Sequence, residues 1–382
     1  MLLPAVRTTL LVTAVAMESA LRPRVVPVAL RRRPHVAVVV PCFNYGRFLP
    51  AAVGSVLAQP GVDVSVVVVD DASTDDSLEV ARSLAAADPR VQVIAHESNR
   101  GPVETFNDGL AAARGDYLVR LDADDLLTPG SLARAVAVGE ALPDVGLVYG
   151  HPVHFHGDPP APRRGRDRAS GWTVWPGTQW LADRCADGTN VITSPEVVMR
   201  MSVVERVGGQ QPLAHTHDME MWFRIAAFAD VAYVRGCDQA LHREHADSLS
   251  AREVDDVKDL EQRLEAFEVL FAGVVGEVPG ASVLRSTALR AVALRALEIA
   301  SHRLDRGRAS ESVTQGLASV ALRAWPEVVG QPAWARLQRR LQAPGGWSPR
   351  RPAAVLASAA SRVEAERAVW RWQRHGVYGG TR

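Results

Sequence analysis

Five short apolar runs, with helical patterns between them, constrain this chain more than any other feature. Val36–Val40, Val64–Val69, Val91–Ala95, Tyr117–Leu121 and Val145–Tyr149 are each nearly continuous in apolar residues. Runs of this length and purity suit strands buried on both faces, as in a parallel sheet. Between the first two runs, Phe48, Leu49, Ala52, Val53, Val56 and Leu57 recur at helical spacing before Gln59-Pro60-Gly61. Ser73 can cap a second helix carrying Leu78, Ala81 and Ala85, and Val103, Phe106, Leu110 and Ala113 mark a third. Such alternation predicts an α/β domain with an open sheet flanked by helices, whose ligands bind at the carboxyl ends of the strands.

The alternation occupies residues 35–250. From about Val254 the pattern is helical only. An amphipathic stripe of Val254, Val257, Leu264, Phe267, Phe271 and Val274 is followed by helical stretches at 282–303, 310–323 and 353–372. Residues 251–382 therefore read as a C-terminal helical appendage. Residues 1–34 read as a disordered N-terminal extension. Their apolar stretch, Thr8–Met17, is about half the ~20 residues that span a bilayer, and it faintly resembles a signal peptide. Residues 157–171, rich in Gly, Pro and Arg, read as a mobile basic loop in which Arg163, Arg164 and Arg166 are solvated.

The net charge is zero, which excludes the basic excess of a nucleic-acid binder. Lys258 is the single lysine, so a catalytic lysine is disfavoured. Cys42, Cys185 and Cys237 are widely spaced, with no zinc or disulfide framework, and fit a reducing cytoplasm.

Two of the strand runs end in acidic clusters: Asp70-Asp71 after Val64–Val69, and Asp122-Ala123-Asp124-Asp125 after Tyr117–Leu121. Because each ends a strand, both can face one crevice. A diphosphate needs a divalent cation, and hard cations take oxygen ligands. In an extended segment Asp122 and Asp124 project to the same side. The Asp70-Asp71 pair can accept hydrogen bonds from a base or a ribose.

The segment Val38-Val-Val-Pro41-Cys-Phe-Asn44-Tyr-Gly-Arg-Phe48-Leu49, followed by Ser55–Gln59, resembles the opening of family 2 glycosyltransferases, which have the GT-A fold. Val67–Ser77, Asn99-Arg-Gly101, Asn107-Asp-Gly109 and Ala113–Tyr117 continue the likeness in order, and Leu121–Asp125 is similar to the family's DxD motif. His217-Asp218-Met-Glu220-Met-Trp222 resembles the segment with the catalytic base, and Leu241–His245 with Ser248–Ser250 the segment that closes the site.

The resemblance implies an inverting transferase that takes a nucleotide-diphosphate sugar, UDP-linked by expectation, and uses Mg²⁺ or Mn²⁺. It places Pro41, Asn44, Asp70, Asp71 and Asp122 around the nucleotide, with Asp71 preferred for the base. It makes Asp124 a metal ligand, has His245 contact the metal or diphosphate, and makes Asp218 the general base. The acceptor is an unspecified carbohydrate, lipid-linked or small-molecule hydroxyl, so action at the inner face of the membrane is compatible.

Three positions depart from the family pattern. His217 stands where Glu is usual, Phe106 where Arg is usual, and Gly209-Gln-Gln211 replaces a Gly-x-Phe. Two other readings compete. A nucleotidyltransferase should carry a Gly-rich basic loop after the first strand, which Pro41–Arg47 is not. A degenerate, non-catalytic scaffold would lack a crevice between Asp218 and Asp124. Trp172, Trp175, Trp180 and Trp222 are read as packing residues rather than sugar platforms.

Overall fold

The structure is a computed structural model and describes residues 25–245, 255–305, 310–341, 363 and 366–377. A nine-stranded sheet organises it. Its parallel half contains β1 (His35–Cys42), β2 (Asp63–Asp70), β3 (Val91–Ala95) and β4 (Tyr117–Arg120), in the order β3-β2-β1-β4. The remainder is mixed. β8 (Val198–Arg200) runs antiparallel to both β4 and β6 (Val145–Phe155), and β6 lies parallel to β9 (Asp230–Arg243). β5 (Leu126–Leu127) and β7 (Gly171–Trp175) add to β9 in antiparallel register.

The period-2 alternation of strand side chains divides β1 between two cores. Val36, Val38 and Val40 pack on one face with α1 (Leu49–Leu57), α2 (Ser77–Ala87) and α4 (Ser131–Ala141). Ala37 and Val39 pack on the other with α3 (Gly101–Ala112), α5 (Gly177–Asp187), α6 (Met201–Val207) and α7 (His217–Ala226). Every residue from Val36 to Val40 is fully buried, as a two-faced strand requires. α3 crosses β1 and β2 so closely that a Cβ on Gly109 would overlap Val39 and Val69.

The C-terminal helices α8 (Asp256–Ala272), α9 (Ala281–Asp305), α10 (Glu311–Ala324) and α11 (Pro332–Leu341) extend this second core. Most of the expected 353–372 helix, and Val254, lie outside the described residues; residues 366–375 are helical.

The segment at the N-terminus differs from the expected free extension wherever it is described. Val25 bridges to Trp172, and Arg32 pairs with Asp116 (3.0 Å) and Glu140 (2.6 Å), so opposite charges and a sheet edge hold residues 25–34 on the domain. Residues 1–24 lie outside the described residues. Within the 157–171 loop, Arg166 is not solvated as expected but pairs with the buried Asp238 at 2.8 Å. Trp172, Trp175, Trp180 and Trp222 are all buried. Among the described residues no helix is long and apolar enough to cross a membrane.

Candidate active site

Parallel pairing brings the carboxyl ends of β1, β2 and β4 side by side, and the polar residues beyond them form one rim. After β1, Asn44 adopts a left-handed conformation (φ 61°), which Asn tolerates better than most residues. Its Oδ1 accepts from the backbone N–H of Thr74 (2.8 Å) and Asp75 (3.3 Å), and its own N–H donates to Ser73 Oγ (3.0 Å). Asn44 thus clasps the loop after β1 to the loop after β2, beside the half-buried Pro41.

The two aspartates at the end of β2 have different surroundings. Asp71 Oδ1 accepts from the N–H of Arg100 (2.8 Å) and from His96 Nδ1 (2.8 Å), and Oδ2 accepts from the N–H of Gly101 (2.9 Å). Burial works to raise its proton affinity, but the bonds from His96, Arg100 and Gly101 outweigh it and hold the carboxyl below its ordinary range. The carboxylate caps the N-terminus of α3, where the helix dipole favours negative charge. Asp70 uses only Oδ2, which accepts from the N–H of Ser73 (3.2 Å); its Oδ1 is buried with no hydrogen-bond partner. The unpaired oxygen of the pair thus lies on Asp70, buried at the strand end.

The acidic cluster after β4 is laced to the end of β9. Asp125 is fully buried and accepts from the N–H of Arg243 (2.8 Å) and from His242 Nδ1 (3.0 Å). Burial alone would lower the His242 imidazole, but its bond to Asp125 raises it to about 9. Asp125 thereby fixes the end of the strand that leads to His245. Asp124 Oδ2 lies 2.9 Å from His245 Nε2, and its carbonyl accepts from Arg243 Nε at 3.0 Å. Burial and the nearby charge of Asp122 push the Asp124 carboxyl up, against the pull of His245. Tyr45 and Phe48 pack around the His245 ring, with centroids 5.7 and 5.9 Å away.

Asp122 has a different partner. Arg120 holds both of its oxygens (2.8 and 3.2 Å) and also donates to Ser194 Oγ (3.2 Å). Asp218 opens α7, half-buried, with Oδ1 accepting from the N–H of Met219 (2.6 Å). Burial pushes its carboxyl up to about 7; the Arg120 cation pulls it down and the Asp122 charge pushes it up. The charges of Arg120 and Asp122, at the end of β4, thus act on Asp218 in opposite directions. His217, in the place of the family's Glu, is held at about 3 by burial and by Arg120, so it is neutral, with Nδ1 turned to the carbonyl of Leu213.

The other departures also find physical roles. Phe106 lies wholly in the core beneath α3. Gln210 is pinned by Asn107, which accepts its N–H (2.8 Å) and donates to its carbonyl (2.9 Å).

Sequence reasoning missed Arg120, Ser194, Glu196 and His242. Glu196 is a buried carboxylate accepting from the N–H groups of Thr193 (2.8 Å) and Ser194 (3.1 Å), and it shapes the loop that presents Ser194 to Arg120. A charged residue inside the strand run Tyr117–Leu121 was the available signal for Arg120.

Two carboxylates and an imidazole are donor types suited to Mg²⁺ or Mn²⁺. Asp124 and His245 already adjoin, and His245 Nδ1 is buried without a partner. Among the described residues no three His, Cys, Asp or Glu side chains stand together at ligating positions. The chemistry of the donor set fits a divalent cation, with Arg120 supplying the positive charge at Asp122.

Residues 37–208 match the family model described as glycosyl transferase family 2. That stretch is similar to family 2 glycosyltransferases. A stretch of 115 residues is 43% identical to the succinoglycan biosynthesis protein ExoO of Rhizobium meliloti, covering 30% of this chain and 32% of that protein. The chain spans no more than about a third of the length of the first curated relatives it matches. Among solved structures it resembles Staphylococcus aureus TarS residues 1–349 in complex with UDP-GlcNAc, with a TM-score of 0.59, 15% identity, and coverage of 89% of this chain and 93% of that one. It also resembles the mannosyltransferase PcManGT of Pyrobaculum calidifontis in complex with GDP-Man and Mn²⁺, with a TM-score of 0.54, 20% identity, and coverage of 93% and 94%. The GT-A fold is therefore present, with its mixed sheet, flanking helices and C-terminal helices.

Proposed function

We propose that this protein is a family 2 glycosyltransferase that transfers a sugar from a nucleotide-diphosphate donor, UDP-linked, to an acceptor hydroxyl with inversion at the anomeric carbon. One observation carries the reading: a carboxylate poised near neutrality, Asp218, shares its electrostatic surroundings with Arg120 and Asp122 at the end of β4. A group with a pKa near the working pH can both accept and release a proton, which is what a general base requires.

In this reading Asp70 and Asn44 shape the nucleotide end of the rim beside Pro41, and Asp71 holds α3 in place behind them. Asp124 and His245 would hold the divalent cation, Mg²⁺ or Mn²⁺. The bound cation supplies charge neutralisation for the diphosphate. Asp218 takes the proton of the acceptor hydroxyl as its oxygen bonds to the anomeric carbon. The bond from that carbon to the diphosphate oxygen breaks, and the electron pair leaves with the nucleoside diphosphate. Attack opposite the leaving group inverts the centre.

The UDP-GlcNAc bound to TarS and the GDP-Man with Mn²⁺ bound to PcManGT support a nucleotide-sugar donor and a metal for this chain as well. The three cysteines, buried and unpaired, support a reducing cytoplasmic setting. The test is donor turnover over a panel of UDP- and GDP-sugars, with Mn²⁺ or with chelator, for the wild type and Asp124→Ala. Turnover of one donor that needs metal and Asp124 is expected; full activity of Asp124→Ala in chelator would remove the metal assignment.

A further inference from the structure

A cavity of about 660 Å³ opens between the segment that leads into β1, helix α4 and the loop before β7. None of its lining residues belongs to the candidate active site. Its walls are largely apolar. Val28 and Leu30 come from the segment before β1, Ala133 and Ala137 from α4, and Ala169 and Trp172 from the loop and the start of β7. Val28 is 53% exposed and Val26 77%, so apolar surface continues from the cavity onto the outside of the molecule.

Two observations point to a ligand. Trp172 is buried at 1% exposure, yet its indole Nε1–H has no hydrogen-bond partner. A buried donor without a partner is rare in a folded chain, and in a cavity wall it leaves a position for an acceptor oxygen. The cations of the lining also differ in their compensation. Arg32 pairs with Asp116 and Glu140, and Arg33 with Asp63. Arg134 donates to Gln239 and to the carbonyls of Pro129 and Asp167. Arg31 and Arg168 are exposed, and neither side chain has a partner among the described residues. The lining includes one acid, Asp167, so the charge balance there is positive.

A ligand that satisfies these features has an apolar chain, an acceptor oxygen and an anionic group. Guanidinium forks match the oxygens of a phosphate, and the volume lies within the range of ligand pockets. We infer that this cavity takes an acyl chain of an anionic phospholipid at a bilayer surface, with Arg31 and Arg168 on the phosphate and Trp172 Nε1 donating to an ester oxygen. The inference goes beyond the proposed transfer reaction and does not depend on the donor.

Sedimentation of the full chain with vesicles tests it. Vesicles of phosphatidylglycerol mixed with phosphatidylcholine should carry the protein into the pellet, and phosphatidylcholine alone should carry about tenfold less. The R31Q/R168Q variant should partition into the mixed vesicles about tenfold less or lower still, and R31K/R168K should keep the partition because it keeps the charge. Ala133→Phe fills the cavity and should lower the partition with charge unchanged. Phosphatidylglycerol brominated along its acyl chains should quench indole fluorescence, and Trp172→Phe should lose that share of the quenching.

Equal pelleting with the two kinds of vesicle, or of the wild type and R31Q/R168Q, would overturn the site. So would quenching that is the same in the wild type and Trp172→Phe, since the lipid would then sit on surface charge and leave the cavity empty. A full chain that stays in the supernatant would overturn it too, and would leave the cavity to residues 1–24 or to a second copy. Donor turnover enters none of these readouts, so failure of the lipid site and failure of the transferase reading are distinguishable.

Discussion

Asp218 and Asp71 are both carboxylates at helix N-termini, yet their surroundings drive them in opposite directions. Asp71 receives three N–H donors and stays ionised, whereas Asp218 receives one, from Met219, and burial leaves it near 7. The consequences for pH follow by sign. As a base, Asp218 must be unprotonated, so kcat should rise as pH passes through about 7 and level off above it. A flat profile across pH 5.5–8.5 under rate-limiting chemistry would sink the assignment. Because its folded-state pKa is raised, the neutral form favours folding, and that contribution is lost as pH rises through about 7. Asp218→Asn should therefore retain donor binding, lose transfer by ~10²- to 10⁴-fold, and melt higher than the wild type at pH 8. For Asp71→Asn the expected loss is in folding. An amide nitrogen would face the N–H of Arg100 or Gly101, at a cost of about 1–3 kcal/mol in urea unfolding. Asp70→Asn should instead weaken donor binding with little change in stability. The reverse pattern in this pair would return the base-contacting role to Asp71.

At the scale of elements, the sequence reveals what repeats and hides what depends on distant partners. Strands β1 to β4 and the first half of β6 are legible, because a strand buried on both faces must be apolar throughout, and the runs at 36–40 and 64–69 satisfy that. β5 is two residues long and β8 three; each exists only because β9 or β4 lies beside it. β9 runs for fourteen residues through Gly236 (φ 82°), and its pairing with β6 shifts register, so no clean period marks it. The site divides similarly. Asp122 and Asp124 stand out in sequence, whereas Ser194 and Glu196 sit in an irregular segment that gains meaning only on reaching Arg120.

That segment has a further support invisible to local reading. Trp372, from the C-terminal helix, donates Nε1–H to the carbonyl of Val191 at 2.7 Å, and Asn190 ties back to Ile192. From there the bonds run through Glu196, Ser194 and Arg120 to Asp122. Trp372→Phe retains much of the packing and deletes the N–H. Hydrogen exchange should then show lost protection at the Thr193 and Ser194 amides, with β1 unaltered. Unchanged protection at those two amides would show that the loop holds itself.

For the whole molecule, the boundary near residue 250 marks a change of pattern without a break in packing. The core that begins at Ala37 and Val39 continues through Trp180 and Phe223 to Phe267, Leu297 and Leu337. Phe223 and Phe267 have ring centroids 5.7 Å apart, and Thr216, two residues before the proposed base, donates to the carbonyl of Gln262 in α8 (3.0 Å). Helices bound through a shared apolar core should unfold with the sheet rather than ahead of it, because neither side can lose the other without exposing that core. Phe267 is fully buried, so Phe267→Ala removes a ring from the junction and should cost about 3–5 kcal/mol. The decisive measurement follows exchange in peptides from β1 and from α9 across a urea series. Both should lose protection at one urea concentration in the wild type, and both should shift together in Phe267→Ala. Early loss of α9 protection with β1 intact would instead make the helices an independent unit, and α8 would then have no part in holding Asp218 against the end of β4.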